Sequence, residues 1–347
     1  MENQARTIVK QANIDFWGRV FGKVLGYVFI LILTNLLAPA EYGIFRLLLS
    51  IVGIATSLAM LGLTGVLDRY IPIFLVNLEY GKIKFLVKKI LSFSVSAGAV
   101  LFLFIFFLAP QITDLFNTNG LAKEFTQGLR LVAITIPVLT ATQLLYYIFI
   151  SHKKLFYPVL IENILQPVIK ILAVGIALFL GLGLTAWIGI HVAIILLIMA
   201  AALYILHRNL LKWWRSTEEQ PIDTKEIFHY TWPLSISAVL TLSMAQIMPL
   251  VLGFYRPPAE VAVFTIYFAT ISILVVMENA VAKIFKPIAS ENGQLLLIET
   301  NFLFKRIVRW SLLFAGAATV IVTFYGRQII LLLFSKSYLL TPEALII

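Results

Sequence analysis

Of 347 residues, 61% are hydrophobic and only 13% charged, at a mean hydropathy of +0.96, whereas a soluble domain carries about 25% charged residues; a soluble enzyme or solvated binding module is excluded. Cysteine is absent, which removes disulfides and thiolate metal sites, and the net charge of +10 is explained by its placement at helix ends rather than by a nucleic-acid surface.

Apolar runs of about 20 residues, the length that crosses hydrocarbon as a helix, predict spans over 16–37, 44–67, 88–109, 129–150, 158–180, 186–207, 228–253, 260–281 and 305–325. A short apolar piece, Ile329 to Phe334, and a last run to Ile347 follow. The short alternating segments of a membrane barrel are missing, so the expected fold is all-α, a polytopic membrane helical bundle. Residues 1–15 are polar and amphipathic, and the first run leads into Pro39 rather than a small-residue cleavage site, so no cleavable signal peptide is expected.

A charge inside a span costs about 2.5–3.5 kcal/mol on insertion scales, so each one raises a functional question. In the first helix Asp15, Arg19 and Lys23 share one face, with Tyr27 next. They form either a cationic rim that captures an anionic ligand or a set that snorkels to anionic head groups. Arg46 lies just inside the second helix, and Asp68 with Arg69, after it, reads as a structural pair. In the fifth helix Glu162, Gln166 and Lys170 recur at helical spacing, and Pro167 interrupts the same helix. Lys170 is a candidate anion-binding or gating cation with Glu162 as its partner; a structural Glu–Lys tie is the alternative. His191 in the sixth helix reads as a hydrogen-bonded packing residue, with a proton relay as the alternative. Ser235, Ser237, Thr241, Ser243 and Gln246 enrich the seventh helix, and suit a hydroxyl-bearing ligand or close helix packing. Glu278, with Asn279, is a coupling-ion candidate or a partner for Lys283. No Walker sequence, His-Glu-x-x-His or nucleophile elbow occurs, so neither an enzyme nor a cofactor is expected.

Lys and Arg gather on one side of the predicted spans: 20 of the 27 lie before the first span, at its entrance, and in or beside the connections 68–87, 151–157, 208–227 and 282–304. Lys123, Arg130, Arg256, Arg327 and Lys336 lie opposite, and Arg46 and Lys170 inside spans. That bias places the N-terminus in the cytoplasm of a multi-pass cell-membrane protein. The sequence also repeats. Pro39-Ala-Glu-Tyr-Gly-Ile-Phe45 returns as Pro258-Ala-Glu-Val-Ala-Val-Phe264, and weaker echoes pair Pro72 with Pro287 and Gln111 with Gln328. A six-helix lobe over 1–207, a cytoplasmic linker over 208–227 and a partial second lobe over 228–347 are the expected domains, the second half being parallel to the first. A full second lobe would end at about residue 430, so a fragment, or a short relative, of a twelve-span protein is expected.

Leu33-Thr-Asn-Leu-Leu-Ala-Pro-Ala-Glu-Tyr-Gly-Ile-Phe45 and Leu61-Gly-Leu-Thr-Gly-Val-Leu-Asp-Arg-Tyr-Ile-Pro72 resemble the opening of the polysaccharide-biosynthesis flippase family, within the multidrug/oligosaccharidyl-lipid/polysaccharide exporter superfamily. Leu331-Leu-Leu-Phe-Ser-Lys-Ser-Tyr338 is similar to a later family segment; Ala38 and Ser335 replace the usual glycines. The resemblance implies a V-shaped, two-lobe bundle with alternating access that moves lipid-linked oligosaccharides outward. It also implies a cavity arginine near Arg46. Cationic groups, Lys170 and Arg46 with Arg19 and Lys23, would then hold the phosphate. The implied partners are that substrate, membrane lipids and glycan-assembly enzymes, with no nucleic acid. Rival readings are a cation-coupled small-molecule exporter, a peptidoglycan-precursor flippase and a non-transporting scaffold of a glycan-assembly complex.

Overall fold

The computed structural model describes residues 2–209, 217–222, 224–274, 297–334 and 338; among them there is no strand. Helices α1 (Glu2–Leu36), α2 (Pro39–Met60), α3 (Thr64–Val76), α4 (Tyr80–Phe107) and α5 (Ala109–Asp114) open the chain. Then come α6 (Ala122–Ala133), α7 (Thr135–Ser151) and α8 (Phe156–Val159), a π-helical segment (Leu160–Leu165), α9 (Gln166–Phe179) and α10 (Leu184–Asn209). The second half supplies α11 (Thr224–Tyr255), α12 (Pro258–Leu274) and α13 (Leu297–Leu333). Six described segments of the first half are long and apolar enough to cross a membrane, and two bent segments within α11 and α13 raise the number to eight. The six are those the apolar runs predict; the seventh and ninth expected runs fall in α11 and α13, and the eighth is met by α12, shorter as described. The protein is a multi-pass, all-helical membrane protein.

Helix α2 departs from its predicted bounds at both ends. It starts at Pro39, where a fixed φ suits the first turn of a helix, and the Ala38 N–H donates to the Glu41 carboxylate at 2.9 Å. It stops at Met60 because Leu61 (φ 42°) and Gly62 (φ 65°) turn the backbone left-handed. The expected run to residue 67 is therefore broken, and α3 is a separate element. At 13 residues α3 is too short to span, and Pro72 sits inside it rather than ending it. Pro287 lies outside the described residues.

The α1–α2, α9–α10 and α11–α12 connections are tight and share one end of the bundle, the turn end. The other, basic end carries α3, the approach to α8, and the segment 217–222. That segment is strapped to α4: the Gln220 N–H donates to the Gly81 carbonyl at 3.2 Å, and Lys84 Nζ to the Thr217 carbonyl at 2.9 Å. Lys88 pairs with Glu219 at 2.9 Å.

Two hydrophobic cores follow this polarity. The one toward the turn end joins both halves: Leu33, Tyr42, Phe45, Leu47, Phe125 and Trp187 pack with Val261, Ala262, Ile266, Phe334 and Tyr338. The one toward the basic end, built on Leu67, Ile71, Ile83, Leu144, Phe149 and Ile161, draws its buried members from the first half alone. Helix α2 is central to the bundle and packs along α11 and α12. A Cβ on Gly43 would overlap the Pro258 carbonyl; one on Gly53 would touch Gln246, and one on Gly62 Ser235. Small residues let helix backbones approach where lipid supplies no hydrophobic drive.

Candidate functional site

Helix α9 is positioned by an irregularity that helical spacing does not reveal. Pro167 has no N–H, so the turn before it lacks a backbone donor, and the chain widens there into the π segment Leu160–Leu165. Helix α1 lies against this segment; a Cβ on Gly18 would overlap Val159, and one on Gly22 would come within 2.7 Å of Asn163. The expected polar stripe is thereby divided. Glu162 lies within electrostatic range of Arg19 and Asp15 on α1, while Gln166 opens α9 and Lys170 lies a turn deeper. No Glu162–Lys170 ion pair forms among the described residues.

Lys170 is the hub of an inner polar nucleus. Its Nζ stands 5.9 Å from the centre of the Phe29 ring, a cation–π contact. Its charge is felt by His191 on α10, and it feels that of Arg46 on α2. Lys170 and Arg46 are only partly buried. Among the described residues neither makes an ion pair or hydrogen bond, and Arg46 Nε is enclosed without a partner. Two like charges in the membrane interior without a carboxylate between them form an anion-seeking arrangement, because an uncompensated buried charge is costly. Trp187 and His191 wall the nucleus, with ring centres 6.3 Å apart and Phe45 at 6.2 and 5.2 Å from them. His191 is packed as expected, but its Nδ1 has no hydrogen-bond partner, contrary to expectation.

A second cluster lies toward the basic end. Arg19 Nε donates to Asp15 at 2.7 Å, and Lys23 is exposed one turn further on. Tyr147 on α7 bonds Thr64 and lies in range of Asp68, Glu162 and Arg19. Asp68 accepts from the Ser151 hydroxyl at 3.2 Å. Burial pushes its carboxyl up, and that bond pulls it part of the way back. Arg69 lies over the Tyr70 ring at 5.7 Å. The bond from Ser151, 83 residues away, adds a partner for Asp68 that has no sequence signal.

Of the polar residues on α11, Ser235 and Ser243 are buried, and Ser235 and Gln246 pack on the α2 glycines. The Thr241 hydroxyl donates to its own helix at the Ser237 carbonyl, 2.8 Å away. Glu278 and Asn279 lie outside the described residues. No cluster of metal-ligand side chains occurs among the described residues.

At the turn end the halves are sealed together. Phe116 stacks on Phe254 at 4.6 Å, and the Asn117 N–H donates to the Gly253 carbonyl at 3.3 Å. Tyr27 meets Thr270 hydroxyl to hydroxyl at 3.0 Å, and the Tyr338 hydroxyl donates to the Leu37 carbonyl at 2.7 Å. These partners, up to 301 residues apart, carry no sequence signal except the repeat that places Pro39 and Pro258 at equivalent turns.

Comparison with known proteins agrees with this architecture. The family profile described as "Polysaccharide biosynthesis protein" matches residues 8–292. A solved structure of an inward-facing multidrug resistance MATE family transporter of the MOP superfamily superposes with a TM-score of 0.72 at 14% identity, over 91% of this chain and 74% of the transporter. No curated protein sequence matches significantly.

Proposed function

The chain belongs to the polysaccharide biosynthesis protein family, and on that premise we propose that it is a flippase for lipid-linked oligosaccharides, working by alternating access. The observation that carries this reading is the nucleus of Lys170 and Arg46, two cations deep in a membrane bundle that no carboxylate among the described residues neutralises. A polyprenyl phosphate or pyrophosphate sugar brings the missing negative charge on a head group that cannot cross hydrocarbon unaided. The glycan needs a wet path, and the polyprenyl tail stays in lipid. Arg19 and Lys23 on α1 are the entry groups toward the basic end, where long basic side chains meet anionic head groups at little cost.

In this reading the N-terminus and the basic connections face the cytoplasm, as the Lys and Arg bias demands. The first-half and second-half helices are two lobes that rock about the polar nucleus. Glu162 lies beside Arg19 rather than beside Lys170, so the inner nucleus offers cations alone, which favours anionic over cationic cargo.

The test is translocation of fluorescent lipid-linked oligosaccharide in proteoliposomes. Lys170→Ala and Arg46→Ala should each lower the rate at least tenfold with unchanged expression and reconstitution. Normal rates in both would end the assignment.

A further inference from the structure

Buried polar groups in native proteins nearly always have partners, so orphans point to something they await. Some orphans among the described residues need no ligand. Ser50, Thr56 and Ser94 carry hydroxyls, which rotate freely and bond weakly to their own helices. His152 Nδ1 donates to the Ile148 carbonyl, 2.7 Å away, which leaves Nε2 as the unprotonated nitrogen without a partner. The nitrogens around Lys170 are different. Arg46 Nε and Trp187 Nε1 are donors only, and both lack acceptors, as does His191 Nδ1 a partner. Trp187 is fully enclosed and His191 is 4% exposed.

The surroundings fix these groups in place. Trp187 lies between Phe29, at 5.7 Å, and Phe45, at 6.2 Å. His191 meets Phe45 edge-on at 5.2 Å and lies within reach of the Lys170 charge. One helical turn of α10 separates Trp187 from His191, so both line the same face. Phe29 and Phe45 flank the two nitrogen-bearing rings, Lys170 stands over Phe29, and both cations keep some accessible surface.

We propose that Trp187 and His191 complete an oxyanion site with Lys170 and Arg46, and that the group it takes is a tetrahedral phosphate. This deepens the flippase reading and rests on it. The two cations supply the charge balance; the indole N–H and the imidazole supply directional hydrogen bonds to phosphate oxygens. Recognition is thereby assigned to the phosphate and not to the sugar, so one site serves different glycans. The same chemistry would hold a free phosphate ion.

The full chain in nanodiscs is titrated with radiolabelled inorganic phosphate, then challenged with a polyprenyl monophosphate that carries no sugar. Lys170→Met should abolish phosphate binding. Trp187→Phe and His191→Phe keep the ring packing and lose the nitrogen, and should each weaken binding about tenfold, the 1.4 kcal/mol of one hydrogen bond. His191→Gln, which retains a donor, should stay within about threefold of wild type, a rescue that a purely structural histidine would not give. Displacement of labelled phosphate by the polyprenyl phosphate identifies the lipid head group as the occupant; retention identifies the free ion. Wild-type affinity in both Phe variants, with binding lost in Lys170→Met, overturns the role of Trp187 and His191 while leaving the flippase reading intact. Absence of binding to either probe overturns the oxyanion site itself, and the proteoliposome assay then decides the flippase reading separately. Should a Phe variant fail to fold, His191→Gln, which keeps a donor, against His191→Met, which has none, gives the same decision.

Discussion

The two ends of the bundle are built on different plans. At the turn end both halves of the chain share one core, and the two copies of the repeat touch: the first copy's Gly43 lies against the second copy's Pro258. The copies differ where they meet. Glu41 caps the backbone of Ala38, whereas Glu260 pairs with Arg256 at 3.7 Å, and Gly43 becomes Ala262. At the basic end the core is a first-half affair, to which the strap adds only partly buried Ile222. The turn-end seal consists of a few separable contacts: one backbone approach, a ring stack and single hydroxyl bonds. Each is worth about 0.5–1.5 kcal/mol. Their sum is a few kcal/mol, the range that separates two conformers of one protein. Glycine-to-backbone approaches join the halves at both ends, Gly43 on Pro258 at the turn end and Gly62 on Ser235 at the basic end, and the core shared by both halves sets the turn end apart.

The largest expected effect breaks the seal at its closest approach. A Cβ at position 43 overlaps the Pro258 carbonyl, and backbone on both sides leaves no flexible side chain to yield. Gly43→Ala should therefore lower stability by about 1–3 kcal/mol, read as a fall in melting temperature of the purified protein. At the basic end a Cβ on Gly65 meets nothing within 4 Å, so Gly65→Ala should be neutral or up to about 1 kcal/mol stabilising. Equal behaviour of the two variants would erase the distinction between the ends.

Tyr338→Phe is the gentler probe of the same end. It keeps the edge contact with Tyr42, at 6.4 Å, and removes only the hydrogen bond to the Leu37 carbonyl. The buried carbonyl left behind costs about 1–2 kcal/mol. Because the chain has no cysteine, a single Ala40→Cys next to the junction reports opening cleanly. Its maleimide labelling should quicken about threefold to tenfold when Tyr338 becomes Phe. An unchanged rate would mean that this hydroxyl does not hold the halves together.

Much of this was legible from the residues alone, for identifiable reasons. Length and apolarity decide which runs cross a membrane, so the six first-half spans are found within a few residues of their predicted positions, apart from the early stop of α2. The Pro39 and Pro258 turns were visible because proline marks a helix start. What stayed hidden depends on backbone irregularity or on distance along the chain. Leu61 and Gly62 cut α2 short through left-handed dihedrals, which an apolar run does not register. The π segment parted Glu162 from Lys170 although their spacing is perfectly helical. Lys170 and Arg46 were each singled out by the cost of intramembrane charge, but only the structure brings them together. The orphaned nitrogens of Trp187 and His191 required three-dimensional partners to be counted.

The smallest effect belongs to the basic end, and it is read as a pH slope rather than an offset. His152 follows α7, outside the spans, with Nδ1 2.7 Å from the Ile148 carbonyl and Nε2 enclosed without a partner. Neutral imidazole fits this setting with its proton on Nδ1; a second proton would sit on Nε2 with no acceptor. Burial pushes the imidazole down from its ordinary value, the Ile148 carbonyl opposes that, and the Lys154 charge adds to it. In the unfolded chain the group titrates at about 6.5. Below that value the unfolded state takes up a proton that the folded state resists, so stability is level above it and falls as the pH drops toward the lower folded value. The fall ends once the folded imidazole is itself protonated. His152→Gln removes the titrating group, so the melting temperature of wild type minus that of the variant should decline from pH 8 to pH 5, whatever constant offset the lost carbonyl bond adds. The same difference for Tyr338→Phe, measured at the turn end, should stay flat over that interval, because no histidine contacts that hydroxyl among the described residues. Parallel curves for wild type and His152→Gln would show that Nε2 finds an acceptor in solution, and that the basic end is wetter than its packing implies.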